Sequence, residues 1–119
     1  MRYIFGLALL MSTNPAFCET LDAKAIQAEL IGQSISWWDA QGEMKGEMLL
    51  LPGGKARITI DSPERASDEG HWSLQDNQLC TVWSTMRSGT AKCYTLSEVA
   101  PGHFVTSGGN EFALREVAV

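Results

Sequence analysis

What this sequence lacks narrows its chemistry first. It holds two histidines, His71 and His103, and three cysteines, with no Cys-x-x-Cys pair and no G-x-S-x-G nucleophile elbow. Redox and triad catalysis therefore find no set of complementary groups. Basic residues are scarce as well: 9 Lys and Arg stand against 14 Asp and Glu, a net charge of −5. A surface of that sign repels phosphate backbones and anionic lipid, which disfavours nucleic-acid and membrane-surface binding. The acids are dispersed among bases, the pattern of a soluble surface rather than a docking patch. No apolar run reaches the about 20 residues of a transmembrane helix, so no membrane insertion is expected. Repeats, low-complexity segments and cofactor motifs are missing too, and no cofactor is called for.

What is present begins with an address. Met1-Arg2-Tyr3 is a short basic start, residues 4–11 are an apolar run, and Ala16-Phe17-Cys18 places small residues at the −3 and −1 positions of a cleavage site. Residues 1–18 read as a secretory signal peptide. A lipid-bearing Cys18 is the competing reading, but Phe17 and Pro15 are not the small and aliphatic residues that a lipoprotein signal wants. Residues 19–119 are then one domain, periplasmic or secreted. Losing Arg2 with the signal leaves 8 bases against 14 acids, a balance of −6.

Along that domain, Thr20 is positioned to cap a short helix beginning at Leu21, in which Ala23, Ile26 and Leu30 recur on one face and Gly32 supplies the stop. From Gln33 onward the period changes to alternation, with turn signals at roughly eight- to twelve-residue intervals. Candidate strands are 34–39, 44–51, 56–60, 70–74, 79–83, 90–96, 103–106 and 111–117, with breaks at 40–43, 52–55, 75–78, 85–89, 99–102 and 107–110. Residues 61–69 (DSPERASDE) carry Pro63, several acids and no apolar run, and read as a loop. The expected fold is mainly β: an antiparallel meander of about seven or eight strands curling into a sheet or small barrel, with one N-terminal helix over an end or face.

With Cys18 removed, two cysteines remain, and an even pair in an exported chain reads as one disulfide, Cys80 to Cys93. Antiparallel pairing then fixes the register, because facing positions keep a constant sum of residue numbers. Leu79 faces Tyr94 and Thr81 faces Lys92; Leu74 faces Leu79 if residues 76 and 77 turn. Trp72, Leu74, Leu79, Trp83 and Tyr94 become a core face, while Cys80, Val82, Ala91 and Cys93 lie opposite.

Candidate sites each carry a plainer reading. His71 and His103 form a metal or acid/base pair only if the fold joins them, and each also suits a surface strand start. Asp61, Glu64, Asp68 and Glu69 lack the spacing and central glycine of a calcium loop. Gly53-Gly54-Lys55 is a hairpin tip rather than the strand-to-helix turn of a phosphate cradle. Trp37 and Trp38 are the functional candidates, since adjacent strand residues point to opposite faces and one core accepts only one of them. The other is covered by the helix, or exposed, or forms an aromatic wall for a ligand.

Gly70-His71-Trp72-Ser73-Leu74, Leu79-Cys80-Thr81-Val82-Trp83 and Cys93-Tyr94 resemble the G-x-W, L-C-x-x-W, C-Y signature of small exported proteins of unknown function from Gram-negative, especially alphaproteobacterial, species. Residues 30–35 and the glycine hairpin at 52–55 are similar to that family's opening. The resemblance implies a periplasmic or secreted β domain with one disulfide and assigns no catalytic residue. Three functions follow: a binding module for an apolar small ligand or protein segment, a metal-dependent or hydrolytic enzyme using the two histidines, and a structural envelope protein without a pocket.

Overall fold

In the computed structural model, which describes residues 19–115, the alternating segments become ten strands and one helix: β1 Glu19–Thr20, α1 Ala23–Leu30, β2 Ser34–Trp38, β3 Lys45–Leu50, β4 Lys55–Ser62, β5 Ala66–Gln75, β6 Gln78–Trp83, β7 Lys92–Tyr94, β8 Leu96–Ala100, β9 His103–Thr106 and β10 Glu111–Leu114. They form one antiparallel sheet in the order β1-β8-β9-β10-β2-β3-β4-β5-β6-β7. The sheet curls into a half-barrel, as the alternation and turn spacing predict. The signal-peptide reading of residues 1–18, Cys18 included, and the last residues of the expected strand 111–117 lie outside the described residues.

Three boundaries differ from the sequence reading. Thr20 does not cap the helix; it is drawn into β1 opposite Ser97, and Asp22 takes the cap, its Oδ1 accepting from the Ala25 amide at 2.9 Å. Residues 61–69 are largely not a loop. β4 runs to Ser62 and β5 starts at Ala66, leaving only a short turn between them. Their polarity is that of half-solvated strand: Ser67 and Glu69 point outward, and the alternate positions Asp68 and Gly70 are only half-buried. The expected strand 90–96 is split at Thr95, and Val99 and Ala100, read as part of a break, belong to β8. These splits and additions raise the strand count from the expected seven or eight to ten.

Thr95 alone separates β7 from β8, and the Ser107 amide donates to its carbonyl at 3.0 Å. One run of chain therefore serves β6 on its first half and β9 on its second, tying together the two flanks of the half-barrel.

The inner face is built by every second residue. Ile35 and Trp37 on β2, Met48 and Leu50 on β3, Ala56 and Ile58 on β4, Leu79 and Trp83 on β6, and Leu96, Phe104 and Phe112 are all buried in one cluster. From α1, Ile26 and Leu30 enter the same cluster. The helix closes one end: its Ala23 amide donates to Asn77 Oδ1 in the β5–β6 turn, and the Gly32 amide beyond it donates to the Leu50 carbonyl. That end therefore holds the start of β2, the end of β3 and the start of β6.

The disulfide joins Cys80 and Cys93 at 2.06 Å with the expected register, Leu79 facing Tyr94 and Thr81 facing Lys92. Asp76 and Asn77 adopt left-handed backbone (φ 50° and 66°) in the two-residue turn that sets Leu74 opposite Leu79. Leu79, Trp83 and Tyr94 are fully in the core, whereas Trp72 and Leu74 pack at its margin, where the Trp72 indole donates to the Leu51 carbonyl at 2.7 Å.

Candidate functional site

At the end away from α1 the strands and turns leave a cavity of about 140 Å³. Trp37, Met48, Ile58, Trp83, Tyr94 and Phe112 wall it, with Thr81 among them; Asp39, Met44, Met86, Arg87 and Asn110 form the rim. Three roomier hollows lie along β4 and β5, at 370, 300 and 470 Å³, and are lined mainly by polar and charged residues such as Arg57, Arg65 and Glu69. Of these four, the mouth cavity is the one lined by Trp, Tyr and Phe rings.

The rim is held by specific hydrogen bonds. Asp39 Oδ1 accepts from the amides of Glu43 at 2.8 Å and Met44 at 3.3 Å, fixing the β2–β3 turn. Thr106 Oγ1 accepts from the Asn110 amide at 3.0 Å and fixes the β9–β10 turn. The segment after β6 folds across the opening as a 3₁₀ turn, Met86–Gly89, in which Arg87 and Ser88 are left-handed with φ of 54° and 52°. Such backbone is unfavourable for side-chain-bearing residues and persists only where contacts hold it. Asp68 supplies them: its Oδ2 accepts from the amides of Thr85 at 2.9 Å and Met86 at 2.8 Å. These bonds, the Met86 one foremost, hold the Asp68 carboxyl below the usual carboxylate range.

Inside the cavity, Tyr94 meets Phe112 edge-on, with ring centroids 6.0 Å apart. Burial pushes the Tyr94 hydroxyl up to about 12, against smaller opposing pulls from a Thr81 hydrogen bond and the Arg87 guanidinium. Trp37 is 7% exposed, and its indole N–H is shielded and donates to nothing among the described residues.

The paired tryptophans separate as the alternation requires. Trp37 is in the cavity wall. Trp38 is on the outer face and is not covered by the helix, which occupies the other end; its ring lies 5.7 Å from that of His103. His103 Nε2 is in turn 2.9 Å from Glu111 Oε1, both side chains being partly exposed. His71 is elsewhere, on β5 opposite Lys55 and Val82, with β10, β2, β3 and β4 between it and β9 in sheet order. The fold thus does not bring the two histidines together, and no group of three His, Cys, Asp or Glu side chains able to hold a metal occurs among the described residues. Asp68, one of the four acids of the 61–69 stretch, spends its carboxylate on the mouth segment.

Sequence reasoning missed Arg87, Met86 and Asn110 as rim residues. They sit in irregular turns, where no periodicity says which way a side chain points. The left-handed Arg87-Ser88-Gly89 run carries no more signal than its glycine.

Comparison with protein-family models, with curated proteins and with solved structures finds no match. No helix among the described residues is long and apolar enough to cross a membrane.

Proposed function

We propose that this protein is a non-enzymatic binding module whose mouth cavity receives one small apolar group, either a one-ring molecule or a single side chain from a protein segment. The observation that carries the reading is the aromatic-walled cavity of about 140 Å³ lined by Trp37, Trp83, Tyr94 and Phe112. Apolar cavities of about 150 Å³ take up benzene, so the size suits one ring and excludes larger lipids. Trp37 is the ligand wall in this reading; Trp38, on the outer face, is not. A structural protein without a pocket has no use for such a hollow, and a two-histidine enzyme lacks the juxtaposition it needs.

The protein works outside the cytoplasm, in a periplasm or as a secreted domain. A structural disulfide suits an oxidising compartment, the apolar start of the sequence suits export, and the G-x-W, L-C-x-x-W, C-Y pattern, which resembles that of small exported Gram-negative proteins, supports the same reading.

Titrating the disulfide-bonded protein with one-ring compounds, neutral and charged, while following the indole N–H and tyrosine ring signals by NMR, tests the binding reading. Saturable shifts at Trp37 and Tyr94 are expected at millimolar concentration. Met86→Trp, which fills the opening, should abolish them. No shift with any compound, in protein whose fold is intact by the same spectra, overturns it.

A further inference from the structure

We infer that the natural occupant of the mouth cavity is a small organic anion: an apolar body no larger than one ring, carrying a carboxylate that meets Arg87 at the rim. This rests on the binding reading above and adds the ligand's charge and polarity.

Two donors around this hollow have no acceptor among the described residues. Arg87 lines the cavity, and the ion pairs of the described residues are His103 with Glu111 and Arg115 with Glu47, so Arg87 has no carboxylate partner among them. A guanidinium stays charged throughout the physiological range and favours planar, two-oxygen acceptors. The shielded Trp37 N–H is a second donor without an acceptor, an arrangement that proteins seldom tolerate. Of the acceptors on the rim, Asp39 Oδ1 takes the amides of Glu43 and Met44. The Arg87 guanidinium and the Trp37 N–H are the two donors that a ligand bringing acceptors completes.

Position strengthens the assignment. Arg87 is exposed at the rim, but its backbone is held left-handed at φ 54°, the Asp68 carboxylate ties down the two residues before it, and Cys80–Cys93 closes the base of the segment. The chain as a whole carries a charge of −5. Its long-range field repels anions, so an anion must be recognised locally, by a cation fixed beside an apolar hole. Reaching the Trp37 N–H requires a neighbour to yield, and Met44 and Met86 on the rim are unbranched side chains that adapt readily.

Benzoate and its neutral counterpart benzyl alcohol decide the point when titrated against the disulfide-bonded protein at neutral pH. Benzoate should bind at least about tenfold more tightly, the worth of one charge-assisted hydrogen bond, and added salt should shrink the difference. The Trp37 indole proton should move downfield with benzoate alone. Arg87→Gln should bring benzoate down to the affinity of benzyl alcohol. Equal affinity for the two compounds in the native protein, or a benzoate preference that survives Arg87→Gln, overturns the anion assignment and leaves the apolar binding reading standing. Binding of neither compound overturns both.

Discussion

Gly46 and Trp37 face each other across the β2–β3 ladder, and Gly70 stands in the same relation to Trp83 across β5–β6. A Cβ on Gly46 would fall on the Thr59 carbonyl, and one on Gly70 on the Val82 carbonyl. In both places the backbone of a neighbouring strand, β4 beside Gly46 and β6 beside Gly70, approaches more closely than any side chain permits, which is how glycine admits sharp curl into a sheet. Both tryptophans line the cavity, each opposite a glycine in its ladder.

Gly46→Ala therefore forces a strand backbone apart and should lower stability by about 1–3 kcal/mol, the usual penalty for overpacking. Gly108→Ala is the control: a Cβ there meets only the Thr106 hydroxyl at 3.9 Å. Urea denaturation followed by tryptophan fluorescence should show a lower midpoint for the first and little change for the second. Equal midpoints would contradict the close approach.

Replacing both Cys80 and Cys93 with serine removes the staple across the 13-residue separation that contains the mouth segment. The chain-entropy model gives a loss of about 3 kcal/mol, a large share of the roughly 5–15 kcal/mol that holds a domain of this size together. Amide exchange should rise first at residues 84–91. A pattern of exchange that instead rises uniformly would mean that the disulfide does not act through that segment.

Asp68→Asn should loosen the mouth without unfolding the sheet. A neutral amide offers a weaker acceptor to the Thr85 and Met86 amides than the carboxylate does. Because the folded-state pKa is depressed, its stabilising contribution is present above the unfolded carboxylate value and is lost as pH falls through the lower folded value. Acidification of the native protein should thus speed exchange at Thr85 and Met86, and Asp68→Asn should exchange fast at every pH. If the variant keeps the native pH dependence, the clamp is assigned to the wrong carboxyl.

Tyr94 tests the opposite end of the scale. Its hydroxyl is raised to about 12 from the ordinary 10.0, so the folded state holds the proton longer than the unfolded chain does. The associated stability is complete below pH 10 and drains away as pH rises toward 12, by on the order of 2–3 kcal/mol over two units. Ultraviolet titration of residues 19–119 should show Tyr94 ionising late or only on alkaline unfolding. Tyr94→Phe should flatten the alkaline loss of stability; a Tyr94 that ionises at about 10 with the fold intact would refute its burial.

Much of the fold was legible because it is written in local rules. Two cysteines fix the β6–β7 register, Asp76 and Asn77 fix that of β5–β6, and every second residue of β2 to β4 names the inner face. The β4–β5 hairpin was hidden for a physical reason: Asp68 and Gly70, at the half-buried positions of β5, serve a loop clamp and a backbone approach rather than the core, so apolar alternation fades there. Thr95 was hidden because a strand that changes partners keeps its period. The cavity was half legible. Trp37 announces itself by standing next to Trp38, but Arg87 comes from an irregular turn, and the contact of Trp38 with His103 and Glu111 depends on β10 returning to β2 across more than seventy residues of sequence.

The passage of β7 through Thr95 into β8 also decides how little of this sheet is left to pair with anything else. Its terminal strands in lateral order are β1 and β7, of 2 and 3 residues. An exposed ladder that short is a poor template for a second copy's strand, and neither carries a row of outward apolar side chains. Among the described residues, then, a sheet of ten strands ends on both sides in strands too short to seed a long ladder with a second copy.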